Sequence, residues 1–316
     1  MINFRYHVVS LAAVFLALAI GLVVGTAAAN GPLTENLNEQ VNTLTDDKQQ
    51  LRDDLEQSRA ELKKNADFAS EVAPVLLAGK LANKNILLVK LEGSDSGDVN
   101  TATDGVATML GTAGAKVVGT LTVKDKFTAP ASSANLLDLA ESSAPAGVSG
   151  ALPNQANGVD TSAALLASVL FGKAGTPQVE GTRTVLSAYE SSGYIALDGD
   201  FKTPAEAAII VAGAPASGKD AKDRNTAVLT IATRFDISAR VVVAGLSANG
   251  LVSSVMGDAS VAKSISTVDN AVTAYGQVAA VMALTERLAG KAGHYGSGDG
   301  ATSLLPKTAS VNTNGS

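Results

Sequence analysis

From Val8 to Ala29 the chain carries no charged residue. A helix over those positions rises about 33 Å at 1.5 Å per residue, enough to cross the roughly 30 Å hydrocarbon core of a bilayer. Immediately beyond, aliphatic residues recur every three or four positions from Leu37 to Leu62. With Val41 placed at heptad position a, the a positions are Val41, Lys48, Leu55 and Leu62, and the d positions are Leu37, Leu44, Leu51 and Ser58. Six of these eight are aliphatic, which predicts a coiled-coil seam. The g residues Asp47 and Asp54 would face the e residues Arg52 and Arg59 of a parallel partner with opposite charge, whereas antiparallel pairing sets like against like. Parallel self-pairing is therefore expected, with Lys48 in the seam costing stability while fixing register. The seam spans only about 39 Å by helical rise, and the same amphipathic helix could instead pack on its own domain or on another protein's helix.

Past the heptads the period changes. Phe68, Val72, Val75, Leu76 and Leu77 keep helical spacing up to Gly79, with a kink or break expected at Pro74 and a linker at 83–85. The run Ile86-Leu87-Leu88-Val89 predicts a buried strand over 85–91, followed by turn residues, a helix near 100–113 and a second strand over 116–123. Residues 125–160, rich in Ala, Ser, Pro and Gly, read as an insertion or covering loop holding one short helix near 136–140. Helices near 162–171 and 183–192, a strand over 207–212, a helix over 221–235, a strand over 239–246 and a closing helix over 277–288 follow. This alternation predicts an α/β fold with an open, mostly parallel sheet flanked by helices, preceded by one transmembrane helix and a coiled-coil helix. The expected organisation is an anchor over 1–30, a stalk over 31–82, an α/β domain over 83–295 and a disordered tail over 296–316, where Gly, Ser, Thr and Asn leave little to bury.

Charge orients the anchor. Arg5 precedes the apolar run while Glu35, Glu39, Asp46 and Asp47 follow it, so the positive-inside bias places the amino terminus in the cytoplasm and the main domain outside. A cleaved signal peptide is the rival reading, because Ala27, Ala28 and Ala29 resemble a cleavage site, but the run exceeds the 7 to 15 residues of a signal-peptide core. Within it, Ala17, Gly21 and Gly25 recur every fourth residue, a small-residue face on which two membrane helices could meet. The absence of cysteine in 316 residues leaves no disulfide to form in an oxidising compartment. A formal net charge of −6 argues against a nucleic-acid partner.

No constellation spells out a reaction, and the chain reads as non-enzymatic. Gly213-Ala214-Pro215-Ala216-Ser217-Gly218-Lys219 matches the spacing of a phosphate loop, but Asp220 stands where a magnesium-binding hydroxyl belongs. No nucleotide is expected there, only a turn whose Ser217 or Asp220 caps the next helix. Glu92, Asp95, Asp98 and Asp104 follow the first strand and could line a cleft at the carboxyl ends of the sheet, although solvated turn carboxylates are the commoner explanation. Histidine occurs only as His7 and His294, so neither a Ser/His/Asp triad nor a Cys/His metal cluster is expected. No cofactor is evident.

The opening Ile2-Asn3-Phe4-Arg5-Tyr6-His7-Val8-Val9-Ser10-Leu11 and the run from Ala13 to Gly21 resemble the start of the actinobacterial copper transport outer-membrane protein family, the MctB-like proteins. Ser266-Thr267-Val268-Asp269-Asn270, the stretch Gly276 to Leu284, and Gly293-His294-Tyr295-Gly296 resemble its carboxyl-terminal signature. The resemblance covers residues 1–296. It implies a cell-envelope protein of copper efflux or copper homeostasis, with copper the only metal implied, and a location in the outer envelope. The family is also linked to envelope remodelling in cell division, which implies protein partners. The residues themselves favour a second reading, a non-catalytic scaffold whose coil recruits a partner, because one apolar helix makes no conduit without oligomerising and no succession of alternating strands predicts a barrel. In the signature, Asp269 and Asn270 read as a turn and helix cap before Ala271.

Overall fold

The computed structural model describes residues 4–29, 32–93, 95–148, 152–153, 157–173, 175 and 177–307, and the chain divides after Lys64 into two units. The first contains α1 (Phe4–Ala29) and the greater part of α2 (Pro32–Leu77). Phe4–Ala27 is long and apolar enough to cross a membrane, and the hydroxyl of Thr26 is satisfied inside the helix by the Leu22 carbonyl at 2.9 Å. In α2, Pro32 occupies the first turn, where a missing N–H costs nothing. At Pro74, where a kink or break is expected, the helix does not break. The proline lies within the last turn, so one helical hydrogen bond is lost, and its own carbonyl accepts from Ala78 N–H at 3.0 Å.

The second unit is a three-layer α/β domain. Its strands are β1 (Asn85–Leu91), β2 (Lys116–Val123), β3 (Ile195–Asp198), β4 (Ala207–Ala212), β5 (Arg240–Gly245), β6 (Ser266–Val268) and β7 (His294–Tyr295). They form one open sheet in the order β3-β2-β1-β4-β5-β6-β7, parallel throughout except for β3 against β2. β1 shows why its apolar run is continuous. Leu87, Val89 and Leu91 enter one core, Ile86 and Leu88 the other, so both faces need apolar side chains. One core is closed by α5 (Ser133–Ser143), α6 (Gly158–Leu170), α7 (Thr182–Ser191), α8 (Ala221–Ser238) and α9 (Leu251–Gly257). The other is closed by α3 (Ser96–Thr112) and α10 (Ala274–Leu288), joined by Ala73 and Leu77 from the end of α2. The domain therefore takes up the end of the helix that the heptad reading gave to the stalk.

The sheet is as expected in kind, and the differences lie at its margins. β3, α9, β6 and β7 were not expected. The expected covering loop contains α4 (Asp125–Thr128), a 3₁₀ turn at Pro130–Ser132 and α5, and α6 begins inside its far end. Asn83 turns the chain at φ 61° before β1. Residues 296–307, expected as the start of the tail, bond back to the sheet end, with Gly296 N–H on the Ser303 carbonyl at 3.0 Å and Thr302 N–H on the His294 carbonyl at 2.8 Å. Residues 308–316 of the expected tail lie outside the described residues.

Candidate functional site

The signature residues come together at the carboxyl end of β6. Thr267 and Val268 lie in that strand, and Thr267 Oγ1 meets His294 Nδ1 at 2.9 Å. Burial draws the His294 imidazole below its ordinary value, with a backbone hydrogen bond to Ala262 opposing, so the neutral ring is favoured in the fold. Asp269 follows at 2% exposure. Its Oδ1 accepts from Asn270 Nδ2 at 2.5 Å and from Ser297 N–H at 3.0 Å, and its Oδ2 accepts from Gly298 N–H at 2.7 Å. Asn270 holds a left-handed φ of 56° and passes its amide on to Ser297 Oγ at 2.6 Å. A carboxylate only accepts, so with three donors already seated Asp269 acts as a buckle that ties residues 297 and 298 across the sheet end. Gly296 fits beneath it, since a Cβ there would stand 2.1 Å from Asp269 Oδ1.

Asp269 and Asn270 are not the cap of the following helix. The cap is Thr273, whose hydroxyl accepts from Gly276 N–H at 3.2 Å, while the Asn270 carbonyl accepts from Thr273 N–H at 2.9 Å and so forms the turn. The loop 213–220 also departs from expectation. Asp220 occupies the cap position of α8 without a side-chain cap bond. The loop is held instead by Asp95 Oδ2 on Ala214 N–H and by Asn225 Oδ1 on Ala216 N–H, each at 2.9 Å. Glu92 and Asp95 line a crevice at the carboxyl ends of the strands, whereas Asp98 and Asp104 point to solvent from α3. Arg224 and Lys124 share that crevice; sequence reasoning missed both because they stand more than 28 residues from the acidic turn.

In the first unit the seam side chains are open. Leu37, Val41, Leu44, Leu51, Leu55 and Leu62 are each 50 to 68% exposed. Lys48 and Ser58 share the same helix and are exposed. Asp47, Arg52, Asp54 and Arg59 form no ion pair among the described residues. Ala17 is exposed, and a Cβ added at Gly21 or Gly25 would meet nothing within 4 Å. Among the described residues no group of three or more His, Cys, Asp or Glu is placed to hold a metal ion.

Fold and sites together define a chain with an N-terminal helix able to span a membrane, a long amphipathic helix and a doubly wound α/β domain closed by a carboxyl-terminal buckle. The model of the MctB family, described as copper transport outer membrane protein, matches residues 1–306, and the chain belongs to that family. It is 30% identical to the copper transporter MctB of Mycobacterium tuberculosis over 96% of this chain and 99% of that protein. The Mycobacterium bovis protein of the same name shows the same figures. The copper transporter MctB of Mycobacterium leprae is 28% identical over the same shares.

Proposed function

We propose that this chain is a non-enzymatic, membrane-anchored protein of the cell envelope that serves copper transport and copper homeostasis. The observation that carries the proposal is the 30% identity to a copper transporter across 96% of this chain and 99% of that protein. Copper is here cargo rather than a resident cofactor. Arg5 ahead of α1 and the acidic residues after Asn30 support an amino terminus in the cytoplasm and the α/β domain on the other side. The family's description supports an outer-envelope location. Deleting the gene and measuring cell copper by mass spectrometry tests the role: copper should accumulate and return to normal when the intact chain is restored. Unchanged copper in cells that fail to separate would overturn it in favour of a scaffold that recruits a protein partner through α2.

With one helix long and apolar enough to span among the described residues, a conduit built of such helices requires several chains, and a parallel homodimer is the smallest assembly that α2 supports. It would bury the exposed seam and set Asp47 against Arg52 and Asp54 against Arg59 across the pair, with Ala17, Gly21 and Gly25 meeting in the membrane. Four such pairs at roughly 0.3 to 0.5 kcal/mol each are worth about 1 to 2 kcal/mol. Reversing Asp47 and Asp54 to Arg should weaken dimerisation of the full chain in detergent by about tenfold or more, since repulsion adds to the loss. Adding Arg52→Asp and Arg59→Asp should restore it, as read by sedimentation equilibrium. A parent chain that stays monomeric, or a charge-reversed chain that dimerises unchanged, would rule this pairing out.

A further inference from the structure

We propose that the crevice at the carboxyl ends of β1, β2 and β4 binds a small molecule carrying one carboxylate on an apolar body. This site is independent of the copper reading. Its place follows from topology: the chain steps from β1 outward to β2 on one side, while β4, β5 and β6 succeed one another on the other side of β1. Where strand order reverses in this way, the loops leaving the two central strands part and open a crevice, which is where doubly wound sheets take their ligands. Here Glu92, Gly93 and Asp95 after β1 and residues 213–217 after β4 border a cavity of about 340 Å³. That volume lies at the small end of the range of about 300 to 1,000 Å³ for small-molecule sites. Leu91, Val99, Val123, Val228 and Leu251 give it apolar walls.

On the polar rim, backbone amides already occupy one oxygen each of Glu92 and Asp95. Glu92 Oε2 accepts from Asp125 N–H at 3.1 Å, and Asp95 Oδ2 accepts from Ala214 N–H, so two of the three carboxylates hold the loops themselves. The third, Asp125, is 62% exposed and stands 3.9 Å from Arg224 Nη1, beyond hydrogen-bond distance. Arg224 Nη1 donates to the Asp125 carbonyl at 3.0 Å and reaches Thr128 Oγ1 at 3.5 Å. The Arg224 guanidinium is thus ion-paired with Asp125, while its Nε and Nη2 donate no hydrogen bond among the described residues; the ammonium of Lys124 has neither hydrogen bond nor ion pair among them. Lys124 and the open edge of Arg224 are the cationic donors left over an apolar floor, and a singly charged anion is the ligand group they match.

Phosphate is the poorer fit despite the loop's spacing. The amides of Ala214 and Ala216, which would cradle it, are already taken by Asp95 and Asn225, and a dianion would face Glu92 and Asp95. A single carboxylate matches the guanidinium fork and carries half the charge into that acidic neighbourhood. Benzoate is a suitable probe, with benzamide as its uncharged counterpart, observed by ligand-detected NMR on the full chain in detergent. Benzoate should bind saturably with Kd of roughly 1 to 10 mM, as expected for so few atoms, and benzamide about tenfold more weakly. Arg224→Met and Lys124→Met should each weaken benzoate by about tenfold, the usual worth of a charge-assisted hydrogen bond, with the unliganded melting temperature of Lys124→Met unchanged. Lys124→Met decides the matter should Arg224→Met fail to fold. Benzoate and benzamide binding alike, binding that survives both substitutions as partition into micelles would, or inorganic phosphate binding more tightly than benzoate would each overturn the proposal.

Discussion

Asp269→Ala should destabilise the α/β domain by about 3 to 5 kcal/mol, because three hydrogen bonds to one buried carboxylate are lost at once. The Ser297 and Gly298 amides and the Asn270 side chain lose their acceptor together, and a methyl group fills none of the space. For a domain of this size each kcal/mol shifts the midpoint by about 2 to 4 °C, so melting of the full chain followed by circular dichroism should fall by roughly 10 °C. Limited proteolysis should also cut sooner near Ser297. Asp269→Asn should lose less, since one oxygen remains to accept while the new amide confronts an N–H. Gly296→Ala attacks the same buckle from the other side, with φ of 132° and a Cβ 2.1 Å from Asp269 Oδ1. An Asp269→Ala protein that melts with the parent would show that the carboxylate does not hold the segment. If the buckle stands, an acidic residue in the family signature acts as architecture, and its three donors leave it poorly placed to ligate a cation.

What the sequence could show depended on whether burial was local. β1 and β4 were legible to the residue because each is buried on both faces, which writes a continuous apolar run into the chain, and β2 because its β-branched and apolar residues bury one face. β6 was not. It is three residues, Ser266–Val268, and its polar members are satisfied by partners 27 residues away, Ser266 Oγ by Gly293 N–H and Thr267 Oγ1 by His294. The segment from Gly296 on looked like a tail for the same reason: its anchor is a carboxylate on another element, and hydrogen bonds leave no hydrophobic pattern. Glu92 and Asp95 could be placed near a cleft because the carboxyl end of a strand is a readable position. Lys124 stands in the same readable position after β2 and was overlooked, whereas Arg224 lies inside α8 and only the tertiary fold brings it there. The seam of α2 and the small-residue face of α1 were readable in pattern alone, and the membrane-spanning length of α1 needed nothing more than its uncharged run.

Asp236→Ala should cost about 3 to 5 kcal/mol, the toll of leaving a buried charge without its partner. Asp236 near the end of α8 and Arg287 near the end of α10 approach at 3.0 Å with side chains 8% and 4% exposed, joining two helices that enclose different cores of the sheet. Asp236 Oδ1 also accepts from Val241 N–H at 3.2 Å, at the start of β5. Arg287 Nε, by contrast, is buried with no hydrogen bond, so the pair is imperfectly satisfied even in the native fold. Taking two charges out of water costs several kcal/mol per ion, and their attraction offsets this only when the remaining donors are filled. Replacing both at once, Asp236→Leu with Arg287→Met, should therefore recover most of the single-variant loss, leaving about 1 kcal/mol for the Val241 amide. Urea unfolding of the parent, Asp236→Leu, Arg287→Met and the double variant forms a cycle that isolates the coupling. A double variant as unstable as Asp236→Ala would mean that the ion pair stabilises the domain in its own right, and that the orphaned Nε is of no consequence.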